Sequence, residues 1–141
     1  MHLLTSEGTR VRVTDSRSLA RMAPVLDPFL GQSEVALLND VPELAVKKAL
    51  LYCRLYEYSK QTSNLQFPLE SRRLEDHASH IDMQVVGDIQ DDMPMLLALL
   101  QAAKVLMIEP LRQLAAAAIA SFFRRRSYED IVKLYDLNSE P

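Results

Sequence analysis

The sequence predicts an α+β domain in which a small amino-terminal sheet precedes a set of helices. Arginine and valine alternate over residues 10–13, which is the period of a strand with one wet and one buried face. Over residues 42–58 and again over 95–137, apolar side chains recur at spacings of three and four, which is the period of an amphipathic helix. We therefore expect one short hairpin and a core that is mostly helical.

The first element is a β-hairpin formed by residues 3–5 and 9–13. Gly8 supplies the positive φ that the tight turn between the strands requires, because glycine has no side chain to clash there. A further short strand is expected at residues 35–38, where the apolar run is too brief for a helix. These segments account for the predicted sheet.

Short helical turns follow the hairpin. Ser16 is expected to cap a helix that ends at Met22, since a serine hydroxyl can accept a hydrogen bond from a free N–H group of the first turn. Pro24 and Pro28 bracket a second short turn, and Gly31 ends it.

A longer helix is expected from Pro42 to about Tyr58. Proline suits the first helical position, and Glu43 suits the positive end of the helix dipole. The composition then becomes polar and mixed in charge over residues 59–80, without a sustained period. We interpret that segment as a mobile excursion.

The carboxy-terminal half is the most apolar part of the chain. Order is expected to resume at residues 81–86, and the acidic run 88–92 precedes the next helix, where the dipole favours carboxylates. Residues 95–107 are apolar at almost every position, so they are predicted to form the central helix, buried on most sides.

Two more helices are predicted after this central one. Pro110 restarts the chain, and the four alanines 115–118 would permit close helix packing. Ser127 and Asp130 resemble a capping box for a last helix through Leu137. The arginines 124–126 are interpreted as a solvated helix end, with an acidic partner as the alternative.

Composition narrows the classes of function. With 141 residues, 48% of them hydrophobic and 25% charged, the chain is expected to fold around one core. The net charge of −3 disfavours nucleic-acid binding, and no apolar run is long enough to span a membrane. The single cysteine, Cys53, and an amino terminus without a recognisable secretory signal indicate a cytoplasmic or nuclear location.

No pattern of catalysis or cofactor binding is recognisable. The three glycines are far apart, so they do not form a phosphate-binding loop. His77 and His80 have helical spacing but lack a clear third ligand, and Cys53 has no histidine motif beside it. We therefore expect no enzyme activity, no cofactor and no metal site.

Three segments resemble the Skp family, the small adaptors that connect F-box proteins to cullins in ubiquitin ligases and share a BTB/POZ fold with elongin C. LLTSEGTRVRV is similar to the family's first hairpin, and KKALLYC, Lys47 to Cys53, to its lysine pair, aromatic and cysteine. Leu97 to Leu137 aligns without a gap with the family's last conserved segment. Its matching positions are Ala102, Ala103, Leu106, Ile108, Leu111, Ala120, Ser127 to Asp130, Ile131, Lys133 and Tyr135.

The resemblance implies a BTB/POZ-like domain over residues 1–108 and a helical partner-binding segment over 109–141, packed on it. It implies an adaptor that binds an F-box-type helical hairpin and links it to a cullin. The residues expected to contact the F-box-type partner, either directly or as the core beneath the contact, are apolar: Ile108, Leu111, Leu114, Ile119, Phe122, Phe123, Ile131, Leu134 and Tyr135.

The chain departs from the family at the expected cullin face. Lys104 and Val105 stand where the family has an asparagine and an aromatic residue associated with cullin docking. The family also continues with an acidic segment and further helices, and it carries a tryptophan that this chain lacks. An alternative therefore stays open: a structural subunit of a stable assembly outside ubiquitination, which binds no cullin. Self-association also remains open.

Overall fold

A three-stranded sheet and five α-helices make up the described part of the chain, residues 1–58, 74–76 and 78–125 of a computed structural model. The α+β class predicted from the sequence is confirmed. The strands are β1 (His2–Leu4), β2 (Arg10–Arg12) and β3 (Glu34–Val35). The helices are α1 (Ser16–Met22), α2 (Glu43–Leu55), α3 (His80–Val86), α4 (Met93–Leu106) and α5 (Glu109–Arg124).

The sheet has the order β2-β1-β3, with β1 antiparallel to β2 and parallel to β3. Leu3 in the central strand lies opposite Val11 on one side and Val35 on the other, and all three are buried. The predicted hairpin is confirmed, and Gly8 has the expected positive φ of 75°.

The third strand is shorter than the sequence suggested. It ends at Val35, and the N–H of Asn39 donates to the carbonyl of Ala36 at 3.2 Å, so a turn replaces the expected strand over 36–38. Leu38 is nevertheless fully buried. Its apolar character therefore reflects core packing in a turn, which a short apolar run does not distinguish from a strand.

Helix α1 ends at Met22, as predicted, but it begins at Ser16, and Asp15 is its cap in place of Ser16. The carboxylate of Asp15 accepts hydrogen bonds from the backbone N–H of Ser18 at 3.1 Å and from its hydroxyl at 2.6 Å. These bonds lower the pKa of Asp15. Because the folded-state pKa is depressed, the cap stabilises the helix above the unfolded pKa and is lost as the pH falls through the folded value.

Helix α2 crosses the core but ends three residues before the expected Tyr58. Glu57 and Tyr58 have positive φ values of 54° and 55°, and the N–H of Tyr58 donates to the carbonyl of Cys53 at 2.9 Å. This left-handed turn supplies hydrogen bonds to carbonyls at the helix end. The sequence contains no glycine there, which is the residue that usually indicates such a turn. The buried face of α2 contacts α3 and α4.

The polar segment predicted over 59–80 is only partly described. Residues 59–73 and 77 lie outside the described ranges. Leu74 begins a 3-10 turn, Leu74–Asp76, that contacts α5, and its side chain is fully buried. His80 already belongs to α3, which Ser79 and Asp82 start with a reciprocal capping box.

Helices α4 and α5 form the largest contact between any two elements described. Several alanines of these helices are buried, and small side chains allow two helix backbones to approach closely. The buried alanines are Ala102 and Ala103 on α4, and Ala115, Ala117 and Ala118 on α5. The predicted close packing through these alanines is thus consistent with the fold.

Candidate partner-binding site

The connection between α4 and α5 is only two residues long. Met107 has a φ of 57°, and the next N–H, that of Ile108, donates to the carbonyl of Ala103 at 3.0 Å. The left-handed residue thus ends α4, and Pro110 lies in the first turn of α5. The sharp connection leaves the side chain of Met107 67% exposed.

Four of the predicted partner-binding residues lie in the core. Each is at most 1% exposed, and they are Ile108, Leu111, Leu114 and Phe122. Burial of such a side chain is worth about 1.5–3 kcal/mol relative to exposure. These four residues therefore stabilise the fold and can support a contact surface only from beneath.

Two predicted residues keep accessible surface. Ile119 is half-buried, while the ring of Phe123 is 43% exposed and packs edge-on against Phe122, with centroids 5.5 Å apart. The remaining three predicted residues, Ile131, Leu134 and Tyr135, lie outside the described ranges, as does the predicted last helix over 127–137. Among described residues, Phe123 is thus the most exposed member of the predicted set.

Helix α4 is buried or half-buried at most of its positions, as expected of the central helix. Its inner face contacts α2 and α5, but a strip along the other side is exposed. This strip consists of Pro94, Leu97, Gln101 and Lys104. Leu97 is 51% exposed and was not among the predicted site residues. The exposure of Leu97 could have been predicted from Gln101 and Lys104, which are polar and lie one and two turns after it.

The two candidate cullin-face residues differ in accessibility. Lys104 is exposed at the end of the α4 strip and forms no ion pair with another described residue. Val105 is half-buried and packs against the core. Of these two residues, only Lys104 is exposed.

Arg125 is not a freely solvated residue, contrary to the interpretation of the arginine run. Its guanidinium donates to the carboxylate of Asp91 and to the carbonyl of Gln90, both at 3.1 Å. Its Nε also donates to the carbonyl of Ser121 at 3.3 Å. The end of α5 is thereby joined to the turn before α4. Arg124 is exposed, and residue 126 lies outside the described ranges.

Three acidic residues before α4 form a helix cap or an ion pair. Asp92 caps α4 by accepting from the N–H of Met95 at 3.2 Å, as the position of the run predicted. Asp91 pairs with Arg125, and Asp88 pairs with Lys48 at 2.7 Å. Two of these carboxylates therefore join distant elements, which the sequence did not indicate.

The thiol of Cys53 is buried, and burial raises its pKa to about 12. We expect this cysteine to resist a disulfide reagent such as dithionitrobenzoate at neutral pH, because the attacking species is the thiolate. Stopped-flow absorbance should show slow labelling of the native chain and fast labelling in denaturant. Equally fast labelling in both conditions would contradict this prediction.

Comparison with known proteins gives no family and no relative. No family model matches the chain, and no curated protein is significantly similar to it. Across the described ranges, no group of three histidine, cysteine or acidic side chains could hold a metal ion. Likewise, no described helix is long and apolar enough to cross a bilayer.

Proposed function

We propose that this protein is a non-catalytic adaptor with a BTB/POZ-like fold, which binds an F-box-type helical hairpin and links it to a cullin-based ubiquitin ligase. It brings a substrate receptor and a ligase scaffold together, and it performs no chemistry itself. The resemblance to the Skp family motivates the proposal. Its structural support is the packed pair α4–α5 with an exposed aromatic ring at its far end.

The order of elements supports the BTB/POZ-like assignment. The hairpin whose turn residues match the family comes first, and the helix with the lysine pair and Cys53 follows the third strand. The alanine pair 102–103 then lies on α4, buried against the rest of the core. The described parts of the matching segments therefore lie in the hairpin, in α2, and in α4 and α5.

Phe123 is the observation on which the partner-binding part chiefly depends. An aromatic ring that is 43% exposed on a helix end is costly in water and suits a protein contact. Helical partners use apolar anchors at spacings of three, four and seven, and Ile119 lies four residues before Phe123. The buried Phe122 and Leu114 would hold this surface in place from beneath.

Affinity capture tests the proposal most directly. The immobilised protein is incubated with an extract of its native cells, and bound proteins are identified by mass spectrometry. We expect an F-box-type protein to be enriched on the wild-type chain and depleted on Phe123→Asp. Leu44→Asp is the matched control, because Leu44 is also exposed, at 52%, but lies on α2.

Two results would count against the proposal. If neither the wild-type chain nor a variant captures an F-box-type protein, the proposed partner is contradicted. Equal depletion by Phe123→Asp and Leu44→Asp would show that the carboxy-terminal face is not the contact. Circular dichroism of both variants should show unchanged helix content, since neither side chain belongs to the core.

The alternative is a Skp-like structural subunit of an assembly that does not include a cullin. Lys104 and Val105 favour this alternative, since they replace the expected asparagine and aromatic residue. We expect the double substitution Lys104→Asn, Val105→Tyr to create measurable binding to a cullin amino-terminal domain if only that contact was lost. Isothermal titration calorimetry with Lys104→Asn alone as control would measure it. Absence of a gain would favour the structural subunit.

A further inference from the structure

A groove separates β2 from α2, with a volume of about 470 Å³. Residues 10–14 form one wall, and one face of α2 forms the other. None of its lining residues belongs to α4 or α5. The groove is therefore distinct from the candidate partner-binding face, and its properties do not depend on the proposed function.

The groove combines an apolar floor with a cationic rim. Val11, Val13 and Leu19 are buried beneath it, with Leu50 and Leu51 half-buried beside them. The rim carries four cations and a single carboxylate: Arg10, Arg12, Lys47 and Arg54, with Glu43. Because the whole chain has a net charge of −3, this positive rim is a local property of the groove.

Two of the four cations have acidic neighbours. Arg10 pairs with Glu34 at 2.7 Å, and Lys47 pairs more loosely with Glu43 at 3.8 Å. The other two are exposed and form no ion pair with any described residue, and they are Arg12 and Arg54. One guanidinium from each wall is thus available to an incoming carboxylate.

The backbone along the groove also has free hydrogen-bonding groups. In the described sheet, β2 pairs only with β1, so its other side is an edge. The N–H of Thr5 donates to the carbonyl of Thr9 at 3.0 Å, and the N–H of Val13 donates to the carbonyl of Met1 at 2.9 Å. In an antiparallel pair, the residues that bond to the partner strand alternate with residues that do not. The N–H and C=O groups of residues 10 and 12 therefore point away from β1. Such an edge can accept another strand.

We propose that this groove binds an extended acidic peptide segment of a second protein. The segment adds to the free edge of β2, places carboxylates against Arg12 and Arg54, and packs the intervening apolar side chains over Val11 and Val13. The apolar floor and the strand edge favour a peptide over a nucleic acid, which would leave both unused. The groove thus recognises a peptide in which acidic and apolar residues alternate.

Fluorescence anisotropy with a defined probe tests this proposal. The probe is a fluorescein-labelled peptide of strand length that alternates glutamate and valine. We expect saturable binding to the wild-type chain, with Kd increased about tenfold or more by Arg12→Glu combined with Arg54→Glu, because like charges then face each other. Arg17→Glu is the matched control, since Arg17 is exposed on α1 and does not line the groove.

Altered probes test the mode of binding. A peptide with lysine in place of glutamate should not bind, and a peptide N-methylated at alternate residues should lose binding because it cannot pair with β2. Equal binding of either peptide would overturn the proposal. So would an unchanged Kd for the double variant, or tighter binding of single-stranded DNA than of the acidic peptide. Sedimentation showing a dimer that only the double variant disrupts would assign the groove to a second copy instead.

Discussion

Phe122→Ala should reduce the free energy of unfolding by about 3–5 kcal/mol, because it removes a fully buried aromatic ring and leaves a cavity. The ring is 1% exposed and is one of the largest buried side chains among the described residues. Ala118, one turn before it on α5, is itself buried and too small to fill the space. Urea denaturation monitored by circular dichroism would measure the change.

Phe123→Ala is the matched control for this prediction. The side chain is identical and adjacent, but it is 43% exposed, so its removal leaves no enclosed cavity. We expect a loss of about 1 kcal/mol, most of it from the edge-to-face contact with Phe122. Equal losses of unfolding free energy for the two variants would contradict the difference in burial between these rings.

Lys48→Glu should be nearly as damaging. The Lys48 side chain is 9% exposed, and its ammonium donates to the carbonyl of Val85 at 2.9 Å and to the carboxylate of Asp88 at 2.7 Å. Glutamate would place a negative charge against two acceptors. An uncompensated buried charge costs about 3–5 kcal/mol, so we expect a loss of that order in urea denaturation.

Lys47→Glu separates the effect of position from the effect of charge. Lys47 immediately precedes Lys48, yet its side chain is 59% exposed and pairs only loosely with Glu43. Loss of that pair and creation of a like-charge pair should together cost about 1 kcal/mol or less. A Lys47→Glu loss matching that of Lys48→Glu would contradict the assigned burial.

The periodic parts of the fold could be predicted from sequence. Alternation of valine and arginine located the hairpin, and prolines located the starts of α2 and α5 to within two residues. Helix ends were harder to predict where a residue other than glycine adopts a left-handed conformation. Tyr58 and Met107 do so at φ values of 55° and 57°, and neither residue type signals that geometry.

The candidate site was less predictable than the elements that carry it. Spacing identified the apolar stripe of α5, but it did not show which residues face inward, because the stripe is wide and Phe122 and Phe123 are neighbours. The ion pair between Lys48 and Asp88 was missed because its members are separated by 40 residues. Local patterns contain no information on such a pairing, which depends on how α2 and α3 pack.

The bond network of Arg125 has a consequence for the dynamics of the carboxy-terminal half. It joins residues separated by 34 positions in the chain, so it can form only after α4 and α5 have closed on each other. The last turn of a helix normally frays independently of the rest. Here fraying must also break the two hydrogen bonds from the Arg125 guanidinium to Gln90 and Asp91, so the turn before α4 restrains the end of α5.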